Sequence, residues 1–228
     1  MKPTEVLGKA TTPEGDAMRL TRRDTEYVIL VNGKPLMSSR MHGSEEELAA
    51  IACRDARTRR QPRVLVGGLG MGFSLRATLD LLPADALVTV SELVPAVVEW
   101  NRGPLAPLAG SPLDDPRVLL EVGDVGAVLR KAAGRFDAIL LDVDNGPEPF
   151  TTNANSSLYD NAGVAAAYAA LRKGGTLAVW SAWEDRKFEQ RLSYHGFDVT
   201  VTRVRARLKK GGPRHTIFAG VKTGVPRS

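Results

Sequence analysis

The sequence predicts an α/β fold: a doubly wound, mostly parallel seven-stranded sheet preceded by a small N-terminal β-hairpin and helix. Three observations lead there. From Arg63 onward, short apolar runs (Val64–Val66, Leu87–Val90, Val118–Val122, Phe136–Leu141, Thr176–Trp180) alternate with helical stretches (Phe73–Leu82, Val94–Asn101, Val125–Ala133, Ala162–Leu171). Alternation of this kind builds parallel sheets with helices on both faces. Two further strand candidates, Phe197–Val204 and His215–Val221, follow in the tail, making seven. Lastly, the first apolar run leads directly into a glycine-rich turn and a helix, as in nucleotide-binding α/β units.

The elements ahead of Arg63 differ in character. Met18–Arg22 and Tyr27–Val31 are β-favouring runs around the polar turn Arg23-Asp24, and Asn32-Gly33 is a second turn signal. "GSEEELAAIACRDAR" then reads as a helix, with Ser44 as N-cap and Glu47 completing a capping box. The division expected is residues 1–60 for the hairpin and helix and 61–228 for a nucleotide-binding catalytic domain. Downstream, Arg172-Lys173-Gly174-Gly175 reads as a helix end with cations and a C-cap glycine. Ser181 with Glu184 reads as a second capping box, opening a helix that Gly196 ends.

Composition narrows the function classes. The chain has 228 residues, 43% hydrophobic and 25% charged, with a net charge of +5. That describes a globular chain with a sizeable core and a mild leaning toward acidic partners. One cysteine, Cys53, excludes an intrachain disulfide framework and suits a reducing, cytoplasmic setting. No apolar run approaches a membrane span of about 20 residues. His42 and His215 stand apart, and no His/Cys/Asp cluster has metal-ligand spacing, so no metal site is expected.

The chemistry-bearing residues fall at strand ends. Gly67, Gly68, Gly70 and Gly72 lack the Cβ that would hold a ligand away from the backbone. Glu92, twenty residues on and at the end of the second strand, suits hydrogen bonds from ribose hydroxyls. Asp124 ends the third strand, where it can cap the next helix and also touch a ligand. Asp142 and Asp144 end the fourth strand in "FDAILLDVDNGPEPF". Asp142 reads either as a catalytic carboxylate or as a turn former before Asn-Gly-Pro. The loop "EPFTTNANSSLYD" is long and polar, the form of a lid or an acceptor wall. Trp180 reads as packing, and Trp183 as bordering a pocket.

These motifs together resemble the spermidine synthase family, within the class I S-adenosylmethionine-dependent methyltransferases. "VLVGGLGMGF" is similar to its glycine motif, "VSEL" to its ribose-binding strand end, "VGD" to its adenine-side motif and "FDAILLDVDNGP" to the stretch carrying its catalytic aspartate. The resemblance implies a class I methyltransferase-like fold and an S-adenosylmethionine or decarboxylated S-adenosylmethionine donor. It implies cofactor contacts from Gly67, Gly68, Gly70, Gly72, Glu92 and Asp124, and a catalytic role for Asp142 with Asp144. Glu46, Asn145 and Tyr159 are the substrate-binding candidates.

The chain departs from the family at the acceptor side. Asn145-Gly146 stands where a second acid and a proline are usual, and Ser44-Glu45-Glu46-Glu47 replaces a tyrosine-histidine-glutamate cluster. Leu69 and Met71 are apolar where the glycine motif usually carries an aspartate. These departures favour methyl transfer to an amine or other nucleophile of a small polar substrate. True polyamine aminopropyl transfer, nucleic-acid modification and non-catalytic nucleotide binding stand as alternatives. The nucleic-acid alternative rests on six Lys/Arg residues between Arg203 and Arg214, without interleaved aromatics for base stacking, and the non-catalytic one on the altered acceptor motif. The exposed hairpin offers an interface for a homodimer.

Overall fold

The computed structural model describes residues 3–143, 146–147, 156–207 and 212–223. Asp144, Asn145, most of the following polar loop and part of the basic cluster lie outside them. None of the helices described is long and apolar enough to cross a membrane.

The N-terminal part is more than a hairpin. Strands β1 (Glu5–Thr11), β2 (Ala17–Arg23), β3 (Glu26–Val31) and β4 (Lys34–Ser38) form a four-stranded antiparallel sheet in sequential order. Asn32 and Gly33, both at positive φ, turn β3 into β4 as the primed hairpin geometry requires. β1 and β4 are edge strands, exposed over much of their length, and Pro35 is tolerated at such an edge. A Cβ on Gly8 would lie 2.2 Å from Trp100 Nε1, so glycine is what allows β1 to rest on that indole.

Helix α1 (Gly43–Ala52) follows, and its start corrects the sequence reading. The N-cap position is His42, without a side-chain cap, and Ser44 lies inside the first turn. The Ser44 hydroxyl bonds Glu45 and His215 instead of capping.

The second sheet comprises β5 (Arg63–Gly67), β6 (Leu87–Glu92), β7 (Val118–Val122), β8 (Phe136–Leu141), β9 (Leu171–Ser181), β10 (Phe197–Arg205) and β11 (Arg214–Lys222). Its order is β10-β11-β9-β8-β5-β6-β7, and β11 alone runs against the others. Chain direction across the sheet reverses its progress at β5, whose neighbours are β6 and β8. That switch point opens a crevice at the strands' carboxyl ends.

Helices α2 (Phe73–Leu81), α3 (Pro95–Arg102), α4 (Val125–Lys131), α5 (Ser156–Tyr159), α6 (Asn161–Ala170) and α7 (Arg186–Tyr194) complete the described α-helices. Two apolar clusters cover the faces of the sheet. Ala138 and Leu140 of β8 join Leu48, Leu75 and Val97 of α1, α2 and α3 on one face. Ile139 and Leu141 join Leu129, Val164 and Leu192 of α4, α6 and α7 on the other. Met18, Leu20, Ile29 and Val31 belong to the first cluster, so the N-terminal sheet shares its core with the seven-stranded sheet.

Three smaller readings are also corrected. α6 ends at Ala170, and Gly174 (φ +70) lies beyond it, where Arg59 donates to its carbonyl. α7 is capped by Asp185, which accepts from the Lys187 and Phe188 amides. Ser181 donates to the Trp183 carbonyl and Glu184 pairs with Arg203, so neither caps α7. At the start of β8, buried Asp137 accepts from Arg59, Arg172 and the Arg63 amide, clasping three segments.

Candidate active site

A cavity of about 300 Å³ opens at the carboxyl ends of β5, β6 and β8, beneath the N-terminal sheet. The glycine loop forms one wall. Gly68, Gly70 and Gly72 have positive φ, and each is approached by the protein itself. A Cβ on Gly68 would meet the Asp142 carbonyl oxygen at 2.2 Å, and one on Gly70 would meet the Met37 methyl at 2.9 Å. Gly68 and Gly70 line the cavity; Gly67 packs against Val125 and Leu141, and Gly72 serves as the N-cap of α2.

Glu92, at the end of β6, ties that loop in place. One carboxylate oxygen accepts from the Leu69 amide at 2.9 Å and the other from the Val94 amide at 2.8 Å. Burial raises its pKa, and these backbone hydrogen bonds oppose the rise by favouring the charged form. Each carboxylate oxygen has a second lone pair, and Glu92 is part of the cavity wall. Asp124 is the N-cap of α4, accepting from the Gly126 and Ala127 amides, and it also reaches the cavity.

Asp142 accepts from the Ser74 hydroxyl of α2 at 2.5 Å. Burial pushes its carboxyl up to about 6, which the Ser74 hydrogen bond partly counters. Facing it is Glu45, pushed up to about 8 first by burial and then by the charge of Asp142. Burial and mutual repulsion of the two carboxyls both oppose ionising the pair fully, so one charge is favoured over two near neutral pH. The Ser44 hydroxyl donates to Glu45 at 2.6 Å.

The structure thus brings Glu45, not Glu46, to the cavity. Glu46 lies on the neighbouring face of α1, half exposed and paired with His42, whose ring stacks on Phe73. Tyr159 is also outside the lining: it is buried, donates to the Val143 carbonyl at 3.2 Å and packs edge-on against Phe188. Trp180 packs against the core as expected and also lines the cavity with His215, whereas Trp183 does not line it. Glu14 and Asp16, from the turn between β1 and β2, add two carboxylates that no motif had signalled.

The fold defined by this strand order and by the site at its switch point is the class I methyltransferase-like fold. The spermidine synthase from Thermotoga maritima superposes with a TM-score of 0.74 over 97% of this chain and 73% of that one, at 19% identity. The polyamine aminopropyltransferase of Mycobacterium tuberculosis is 35% identical over 119 residues, which are 51% of this chain and 22% of the relative. That of Corynebacterium efficiens is 31% identical over 168 residues, 72% of this chain and 30% of the relative. The matches therefore span less than a third of these curated relatives. No family model matches the chain. In fold and in sequence similarity, the chain fits the spermidine synthase-like group. The preference for methyl transfer drawn from Leu69 and Met71 is not supported: the relatives carry names of aminopropyl transfer.

Proposed function

We propose that the chain transfers an aminopropyl group from decarboxylated S-adenosylmethionine to an amine of a small polyamine. The observation that carries this reading is the charge of the cavity. Glu14, Asp16, Glu45, Glu92, Asp124 and Asp142 line it, and no lysine or arginine does so among the described residues. An S-adenosylmethionine tail would bring a carboxylate into that acidic surround without a cation to meet it. The decarboxylated tail keeps only its ammonium, and a polyamine adds further positive charge; both suit an acidic cavity. The carboxylate missing from the glycine loop at Leu69 and Met71 is made up from other elements.

Glu92 would take the ribose hydroxyls, Asp124 the adenine side, and the Gly68–Gly70 backbone the close approach of the nucleoside. The donor, when bound, supplies a carbon made electrophilic by its sulfonium sulfur. Asp142 binds the acceptor ammonium, orients its nitrogen and takes its proton, with Glu45 sharing that proton. General-base help of this kind contributes about 10²–10⁴-fold. Asp144 and Asn145 remain candidate partners of Asp142.

Thermal shift with the two donors at equal concentration, followed by product mass with putrescine, tests the reading. Stronger stabilisation by the decarboxylated donor and an aminopropylated product are expected. Preference for S-adenosylmethionine with a methylated product would overturn it. Asp142→Asn should retain donor stabilisation and lower turnover about 10²–10⁴-fold.

A further inference from the structure

We propose that Ser44 and His215 form a proton outlet for the Glu45–Asp142 pair, a role that rests on the transfer reaction above. The Ser44 hydroxyl is wholly buried, 2.6 Å from Glu45 Oε2 and 2.9 Å from His215 Nδ1. It has one hydrogen to give. With Glu45 ionised, Ser44 donates to Glu45 and accepts from an Nδ1–H of His215. With Glu45 protonated on Oε2, Ser44 accepts from Glu45 and donates to a bare Nδ1. The protonation of Glu45 and the tautomer of His215 are therefore two ends of one hydrogen-bonded wire.

The surroundings hold this wire in register. The Gly43 amide donates to the Ala206 carbonyl at 2.9 Å, pinning the first turn of α1 beside the end of β10. The His215 ring packs against Trp180 with centroids 4.5 Å apart, and both residues line the cavity. Asp142, directly after β8 and bonded to Ser74 of α2, faces Glu45; Glu46 on α1 adds a smaller repulsion and is paired with His42. From β11 the titratable group is His215 itself, and burial lowers its pKa, favouring the neutral ring.

In the transfer, a C–N bond forms and a C–S bond breaks, the electron pair remaining on sulfur. The attacking nitrogen ends with one proton too many. That proton passes to the Asp142–Glu45 pair, from Glu45 Oε2 to Ser44 Oγ while the serine proton moves to His215 Nδ1, and from His215 Nε2 to water.

Long-range ¹H–¹⁵N spectra of the ¹⁵N-histidine-labelled chain report the tautomer directly. The three histidines are separated by assigning His215 with His215→Gln. The neutral His215 ring should change from Nε2–H to Nδ1–H as pH rises through the titration of the pair. Ser44→Ala should abolish the change. Glu45→Gln, which keeps the side chain's shape, should freeze one tautomer at all pH values and serves if Ser44→Ala does not fold. A wild-type tautomer that is constant with pH, or a change that persists in both variants, overturns the proposal. In turnover of decarboxylated S-adenosylmethionine with putrescine, Ser44→Ala should lower kcat roughly tenfold to a hundredfold, below the full general-base contribution, with little change in donor KM; an unchanged kcat overturns the outlet. If the wild type transfers no aminopropyl group at all, the proposed reaction fails, while the spectra still decide whether the wire exists.

Discussion

Replacing Glu45 by glutamine should make the protein more stable above neutral pH, the opposite of the usual effect of a substitution in a buried site. The Glu45 carboxyl is held up to about 8 in the fold, against 4.5 for an unhindered glutamate. Below pH 4.5 both folded and unfolded chains are protonated, and the group has no effect. Between 4.5 and 8 the folded chain retains a proton that the unfolded chain releases, so stability falls as pH rises. The slope is about 1.4 kcal/mol per pH unit for one such proton, accumulating to roughly 5 kcal/mol near pH 8. Asp142, raised to about 6, steepens the fall below that pH. Glutamine has no proton to lose, keeps the length of the side chain and still offers an oxygen to Ser44. Urea unfolding of both proteins at pH 5, 6, 7 and 8 measures the difference by linear extrapolation. The glutamine variant should match wild type near pH 5 and exceed it by several kcal/mol at pH 8. A wild-type stability that is flat across this window, or a variant that tracks it in parallel, would refute the proton-sharing pair.

Glu92→Ala should cost roughly 1–3 kcal/mol of donor affinity, the scale of a lost charged hydrogen bond; calorimetric titration with S-adenosylhomocysteine measures it. The same change strips the Leu69 and Val94 amides of their acceptors, so a drop in melting temperature should accompany it, and unchanged affinity would remove Glu92 from the site. Gly68→Ala should lower stability by at least about 1–3 kcal/mol, because its φ is +91 and the new Cβ would meet the Asp142 carbonyl; a melting curve like wild type would refute the close approach. Asp137→Ala should cost about 3 kcal/mol by leaving two arginines and the Arg63 amide without their shared carboxylate, read by urea unfolding.

Much of the seven-stranded fold was legible because its central strands, β5, β6 and β8, are buried almost throughout. All six residues of β8 are buried, and apart from Asp137 they form the apolar run that marks a parallel strand. β1 and β4 escaped notice because edge strands bury too little to show alternation, and β1 carries Gly8 for the sake of an indole far along the chain. Glu92, Asp124 and Asp142 were legible as carboxylates ending apolar runs. The choice among Glu45, Glu46 and Glu47 was not: successive helical residues point about 100° apart, and only the docking of α1 selects Glu45. His215 looked isolated because its partner Ser44 is 171 residues away in the chain. A histidine just ahead of the apolar run Ile217–Val221 in β11 was the signal available.

Strand β8 has one aspartate near its start, Asp137, and another immediately after its end, Asp142, and the two are equipped in opposite ways. Asp137 is clasped by two arginines and a backbone amide, while no lysine or arginine among the described residues pairs with Asp142. Five residues separate them, about 17 Å along an extended strand. Anchorage and reactivity are therefore insulated from each other within a single strand. The exit of β8 can be re-equipped, with a different acid, amide or hydroxyl for a different acceptor, while the clasp at its start keeps the strand seated. The same scaffold is in this way open to a change of chemistry by substitutions confined to one rim.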